Sequence, residues 1–484
     1  MNDQPQGPDS VGSAPSSEES PKRIPLVTFG VAATSVAIFA IGDESFIAGA
    51  WDIYDGSFWS LITSAFYHVD FMHLAFNIYW LWVLGRCLEQ VVGPIRFMAF
   101  FVAAAWVSSA AQLAVSDQTG VGLSGVGYAL FGAMWFAQAR VPAFQRVIDA
   151  QVIGIFLLWL FLCIGLSVVG DASIANTAHV AGLVFGALTG TAALPKRRTA
   201  ALTATSLLLA ASTATLFYAP WSSTWQGLQG SRAQKAEDLD RAIEAYTRSI
   251  ELDPDDPWGY DARGWVRIES DDFDEAITDF TRALELDPRF ARAYSGRGWA
   301  RSATGDKEGA LGDFLWAAEL APDAPSVHEA LAMHHYAEGD YRAFVTAMSR
   351  AFALGCDNTL YLNSLAWIQV TSTDPGLHDH ARSLRVAKRV IEHEPQSGEY
   401  QNTLGVALYR NGKWEEARAA LRRAMELGNQ DPSNLLFIAM CLKQTGKADE
   451  ARRTYEQALA LPDTVRSDEE EYQRFRAEAE ALLD

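Results

Sequence analysis

Two hydrophobic patterns divide the chain. Between residues 25 and 220 apolar residues come in long unbroken runs, whereas beyond about 225 they recur every three or four positions among charged ones. The runs predict seven candidate membrane spans, at 25–42, 66–84, 95–115, 124–139, 149–169, 174–194 and 200–220. Several are shorter than the ~20 residues of a simple spanning helix. The fourth is among the shortest and opens on Ser124. A short span is tolerated where its end meets a protein-lined, water-accessible cavity. Residues 1–24, rich in Ser, Pro, Gln and Glu, read as a disordered tail. Lys22-Arg23 then precede the first run, which reads as an anchor rather than a signal peptide because further spans follow it.

The second pattern has a longer period. Pro254, Pro288 and Pro322 are spaced by 34 residues, and Gly264, Ala276, Phe280 and Ala283 recur at the same interval as Gly298, Ala310, Phe314 and Ala317. Later copies carry Gly405, Gly412, Trp414, Ala417 and Ala424, then Gly446, Ala451, Tyr455 and Ala458. This helix–turn–helix period resembles tetratricopeptide repeats, in which small residues mark close helix crossings and an aromatic fills the gap between neighbours. About seven units are expected, the fifth lengthened near Thr371–His380, with a capping helix over Asp468–Asp484. The fold class is therefore all-α. A tail (1–24) and a polytopic membrane bundle (25–220) precede an α-solenoid of repeats (221–484), whose concave face is expected to bind protein or peptide ligands.

Charge gives the orientation. Residues 1–220 hold nine Lys/Arg and thirteen Asp/Glu, a net of −4, and the rest of the chain carries −16. That acidic excess excludes nucleic acid as the partner, since phosphates would be repelled. Lys22, Arg23, Arg86, Arg96, Arg140, Arg146 and Lys196-Arg197-Arg198 all fall on one side of a seven-span arrangement. By the positive-inside rule the N-terminus is cytoplasmic, in a multi-pass cell-membrane protein. An odd number of spans then puts the repeat domain outside the cytoplasm, provided that the Ala- and Thr-rich run 200–220 crosses the bilayer. Cys87, Cys163, Cys356 and Cys441 are scattered and form neither a zinc spacing nor an evident disulfide framework.

Ionisable and polar residues inside a bilayer are costly and point to function. Ser124 has Tyr128 one turn later on the same face; His179 lies in the sixth run; His68, His73 and Asn77 lie in the second, the last two sharing a face. A serine hydroxyl becomes nucleophilic when a neutral imidazole takes its proton. Ser124 starts the fourth run and His179 lies about five residues into the sixth from the same side, so their depths match. Gly182, Gly186 and Gly190 form a four-residue ladder facing Gly125, Ala129 and Gly132, the small residues that let two helix backbones approach. His73, Asn77 and the Ser124 amide are candidate oxyanion donors. Each residue also has a plain structural reading: Ser124 as a helix cap, His179 as a buried hydrogen-bonded ring, Tyr128 as packing, Trp80 and Trp82 as an aromatic belt.

In combination, Gly122-Leu123-Ser124-Gly125 with Tyr128, Ala178-His179 followed by Gly182 and Gly186, and His73 followed by Asn77 make residues 59–194 resemble the rhomboid family of intramembrane serine proteases. The resemblance implies Ser124 as nucleophile, His179 as its base, His73 and Asn77 as oxyanion stabilisers, Tyr128 stacked on the histidine, and a supporting role for His68. It implies cleavage of transmembrane or juxtamembrane segments of other membrane proteins, with no metal or organic cofactor. One departure stands out: the family commonly has Trp-Arg before the second span, and this chain has Trp59-Ser60. The alternative is a non-catalytic membrane scaffold that binds transmembrane helices and presents the repeats; such a relative would be expected to lack Ser124 or His179.

Overall fold

The computed structural model describes residues 24–42, 47–169, 175–462 and 468–484, so all but the last residue of the expected disordered tail (1–24) and the loop around Asp171 lie outside the described residues. Among those described, all regular structure is helical. The chain divides into two compact units after Pro254.

The first unit is an apolar bundle of seven helices, α1 (Leu26–Ile41), α2 (71–92), α3 (Pro94–Ser116), α4 (Ser124–Ala137), α5 (Ala150–Val169), α6 (Asn176–Thr191) and α7 (Arg198–Ala214). Only α3 and α5 are, among the described residues, long and apolar enough to cross a membrane singly; α6 and α7 pass that test together, across a 117° bend. The reasons are local. α4 has 14 residues, about 21 Å at 1.5 Å per residue. α2 begins later than the 66–84 run predicts and continues through a π-helical turn, Leu81–Gly85, to Val92. Arg86 and Glu89 therefore sit on this helix rather than in a loop, and His68 lies in the turn before it rather than within the span.

The Glu89 carboxylate is buried and accepts from the Val27 amide (3.0 Å), the Thr28 amide (2.8 Å) and the Thr28 hydroxyl (2.7 Å). It thus satisfies the first, otherwise orphaned donors of α1 and complements the positive end of that helix. α3, α4 and α6 form the centre, with Phe97, Phe101, Phe131 and Met134 fully buried. α5 is the outlier: only 17% of its apolar window is buried, and Leu158 and Phe161 point outward. Such a surface suits hydrocarbon rather than water.

α8 (Ser223–Lys235) and α9 (Leu239–Leu252) form a first helical hairpin that packs with the bundle in this unit. Asp117, which ends α3 with a positive φ of 52°, accepts from the hydroxyl of Ser222, from the Ser223 hydroxyl (3.1 Å) and from the Thr224 amide (3.4 Å). The Trp221 indole donates to the Ala114 carbonyl (2.8 Å), and Arg232 pairs with Asp55 at 3.1 Å.

The second unit continues with six more hairpins, from Pro257–Glu269 with Phe273–Leu286 to Ser433–Gln444 with Ala448–Leu459. The 34-residue period has a steric meaning. A Cβ on Gly264 would come within 2.9 Å of the Phe280 ring, and one on Gly298 within 2.8 Å of Phe314. The period also carries ions. Arg263 and Arg267 both bind the buried Asp279, and Arg297 and Arg301 bind Asp313 in the same way, all at 2.7–2.9 Å. The fifth hairpin is lengthened by a 3-10 turn at Pro375–Leu377, inside the expected insertion.

Candidate active site

Ser124 is the first residue of α4, with Leu123 in the cap position, so its hydroxyl is not spent on capping. The Ser124 Oγ lies 2.9 Å from Nε2 of His179, which is buried in the first turn of α6. Nδ1 of that ring is buried and makes no hydrogen bond with any described residue. The two helices meet because α6 presents three glycines to the backbone of α4. A Cβ on Gly182, Gly186 or Gly190 would land on the carbonyl oxygen of Gly125, Ala129 or Ala133. On its other side Gly125 meets α3, where a Cβ would come within 2.7 Å of Ser108 Cβ. Separating the helices by about 1 Å would take the Ser–His pair beyond hydrogen-bond reach.

Tyr128, one turn into α4, packs on the His179 ring with centroids 4.9 Å apart and planes tilted by 34°. Its hydroxyl donates to the Phe156 carbonyl of α5 (3.0 Å), which ties the ring in place. Spacing alone pairs Tyr128 with Ser124, and the family resemblance pairs it with the histidine; in the structure its ring lies against His179.

The loop before Ser124 is held close to α2. Gly122 has φ +89°, a conformation that favours glycine. A Cβ there would lie 2.7 Å from His73 Cε1 and 3.3 Å from Asn77 Nδ2, so both side chains press against the loop backbone. The Gly122 amide donates to the Ser64 carbonyl (3.0 Å). His68 supports the same loop, with Nδ1 at 3.1 Å from the Phe66 carbonyl and Nε2 at 3.5 Å from the Leu123 amide. Asn77 Nδ2 is buried and has no hydrogen-bond partner among the described residues, so it is an unspent donor. Asp70 caps α2 by accepting from the His73 amide (2.8 Å). Ser60, which stands where the family commonly has an arginine, is buried and accepts from the Ala48 amide (2.7 Å).

Ser124, His179, His73, Asn77 and Tyr128 line one cavity of 780 Å³. Its outer wall is aromatic: Phe76 of α2 meets Trp159 of α5 at 5.2 Å, and Trp80 meets Phe156 at 4.8 Å. The first-turn amides of α4 have no intrahelical acceptor, so the positive end of its dipole faces this space. Among the described residues no group of three or more His, Cys, Asp or Glu converges on a metal-sized site.

Gln112 of α3 is a site residue that motif reading passes over. Its Oε1 accepts from the Ala178 amide (3.1 Å) and its Nε2 donates to the Ser116 hydroxyl (2.9 Å). It thereby caps α6 from a neighbouring helix, one residue before His179. The cost of a polar group in an apolar run, applied to the third span, would have found it.

Residues 55–196 match the rhomboid domain family, and residues 230–256 and 262–325 match tetratricopeptide repeat families. Residues 377–458 match the family described as anaphase-promoting complex, cyclosome, subunit 3. The rhomboid protease GlpG of Serratia proteamaculans is 34% identical over 170 residues, covering 34% of this chain and 60% of that protein. The rhomboid protease GlpG of Pectobacterium atrosepticum is 37% identical over 130 residues, 27% of this chain and 46% of its own. The chain thus spans at most about 60% of the length of these relatives. The tetratricopeptide protein YrrB, in a crystal structure with an unusual peptide-binding site, is 20% identical with a TM-score of 0.33, covering 39% of this chain and 95% of its own. The chain carries a rhomboid domain followed by tetratricopeptide repeats.

Proposed function

We propose that this rhomboid domain is an intramembrane serine endopeptidase working through Ser124 and His179. The observation that carries the reading is the 2.9 Å approach of Ser124 Oγ to His179 Nε2 in a cavity walled by apolar side chains. For His179 to act as base, Nε2 must be unprotonated, so the proton resides on Nδ1. Ser124 Oγ gives its proton to Nε2 and attacks a substrate carbonyl. The carbonyl oxygen takes up the charge near the N-terminus of α4, within reach of the Ser124 amide and of Asn77 and His73 across the Gly122 loop. The imidazolium then protonates the leaving amine, and water returns through the same base to release the acyl group. Tyr128 fixes the ring plane, and Gln112 fixes the start of the helix that bears it.

Substrates are transmembrane or juxtamembrane segments of membrane proteins, and they reach the cavity between α2 and α5. α5 is weakly embedded in the bundle, and it meets α2 through aromatic ring contacts. The likeness to proteins named rhomboid protease supports the proteolytic part of this reading.

The repeats bind substrates or adaptor proteins on the side of the membrane where Ser124 opens. Asp117 ends α3 seven residues before Ser124 starts α4, and it is Asp117 that holds α8. Arg140, Arg146 and Lys196-Arg197-Arg198 follow the far ends of α4 and α6. With basic residues inside, this orientation gives a cytoplasmic N-terminus and an extracytoplasmic repeat domain. A scaffold without catalysis is the weaker reading, because it leaves the paired Ser124 and His179 unexplained.

Cleavage of a reporter transmembrane substrate tests the proposal. Ser124→Ala and His179→Ala should each abolish cutting, a loss on the order of 10⁴–10⁶-fold. Wild-type rates in both would remove it.

A further inference from the structure

The final helix, Glu469–Leu483, packs on both helices of the last hairpin and also reaches beyond it. Its anchor, Phe475, is buried between Trp367 and Phe437, at ring distances of 6.2 and 4.9 Å. Trp367 belongs to Thr359–Thr371 and Phe437 to Ser433–Gln444, the first helices of the fifth and seventh hairpins. Glu478 makes a two-pronged pair with Arg410 of the sixth, the second bond at 2.7 Å. Arg474 donates to the Thr371 carbonyl (2.9 Å), and Lys443 to that of Leu483 (2.7 Å). The helix thus lies across three successive hairpins, burying Tyr472, Phe475, Ala479 and Leu483 along one face. A solvent-facing cap would need to cover only its nearest neighbour.

The fit is incomplete. A cavity of 850 Å³ remains beside the helix, lined on the repeat side by Tyr336, Asn363, Glu399, Asn402 and Asp431 and on the helix side by Glu471. Carboxylates line both of its walls, and burial holds the Glu471 carboxyl above its usual range. Arg474 of the helix also lines this cavity and pairs with Glu471 at 3.3 Å, so the helix is held here by a few polar contacts around unfilled space rather than by close packing.

We propose that the inner face of the fifth to seventh hairpins is a receptor for amphipathic helices, and that helix 469–483 is a resident occupant which a partner segment displaces. The partner's pattern follows from the seats: two aromatics three residues apart, an acidic residue three after the second, and a small residue directly behind it. Tyr472, Phe475, Glu478 and Ala479 fill those seats now. The inference concerns binding alone and goes beyond the proteolytic reading, which can fail without affecting it.

The test uses the full-length protein and a fluorescent synthetic peptide of residues 468–484, read by anisotropy. Glu478→Arg, which sets like charges against Arg410, should bind the peptide at least tenfold more tightly than wild type. Phe475→Ala should do the same by emptying the aromatic seat. Arg410→Glu combined with Glu478→Arg restores the resident pair and should return binding of the unmodified peptide to wild-type weakness or below. The proposal is overturned if wild type binds as tightly as the single variants. It is equally overturned if both single variants keep their helical signal and bind nothing, or if the double variant binds as Glu478→Arg does.

Discussion

Gly122→Ala puts the geometry around Ser124 to a quantitative test. The substitution has two costs. At φ +89° an L-residue is strained, by roughly 1–2 kcal/mol. The new methyl would also lie 2.7 Å from His73 Cε1 and 2.9 Å from its Nε2. Reaching an ordinary contact of about 3.4 Å requires His73 to retreat by roughly 0.7 Å. If His73 and Asn77 stabilise the oxyanion, that shift costs up to one donor, about 2.7–4 kcal/mol of barrier or 10²–10³ in kcat. KM should change little, because the donors act on the transition state. The assay is steady-state cleavage of a transmembrane reporter in proteoliposomes, run as a double-mutant cycle with His73→Ala. Truncating His73 removes the clash, so Gly122→Ala should then cost only its backbone strain, with kcat within a few-fold of His73→Ala alone. Wild-type kcat in Gly122→Ala, or an undiminished cost in the His73→Ala background, would refute the arrangement.

Three further outcomes follow from single carboxylates. Glu89→Ala orphans the Val27 and Thr28 amides at the start of α1 and should lower bundle stability by about 2–4 kcal/mol in detergent unfolding, with an unchanged midpoint counting against it. Asp117→Gly keeps the left-handed backbone of the α3 end but deletes the acceptor of Ser222, Ser223 and Thr224. Hydrogen exchange in α8 should rise on the order of tenfold, and unaltered protection would show that the latch is not carried by this carboxylate. Asp261 is fully buried, and burial pushes its carboxyl up to about 6 in spite of the facing Arg292. An acid whose folded pKa is raised contributes stability below its unfolded value near 4 and loses it as pH rises through 6. Asp261→Asn should therefore gain on wild type by about 2–3 kcal/mol between pH 4 and pH 8, as read from paired denaturant curves; parallel pH profiles would contradict it.

Much of the architecture is legible because it follows from periods. Unbroken apolar runs mark the bundle, and the 34-residue recurrence of glycine and aromatic marks the hairpins, since Gly264 and Gly298 must face Phe280 and Phe314 directly. The glycine ladder on α6 is legible for the same reason. What escapes is set by contacts that no spacing encodes. The π turn at Leu81–Gly85 shifts α2 and carries Arg86 and Glu89 onto a helix, where Glu89 serves the start of α1 some sixty residues earlier. Gln112 acts on α6 through a bond spanning 66 positions. Helix 469–483 is amphipathic in any reading; that its apolar face reaches back to Trp367 is a tertiary fact.

Covalent labelling bears most directly on the Ser124–His179 pair. A fluorophosphonate probe reacts with a hydroxyl activated by a base, and peptide mass mapping locates the adduct. The account predicts one adduct on Ser124 in the wild-type protein, and labelling slowed by at least 10³-fold in His179→Ala. An adduct on any other residue, or equal labelling rates with and without His179, would contradict it.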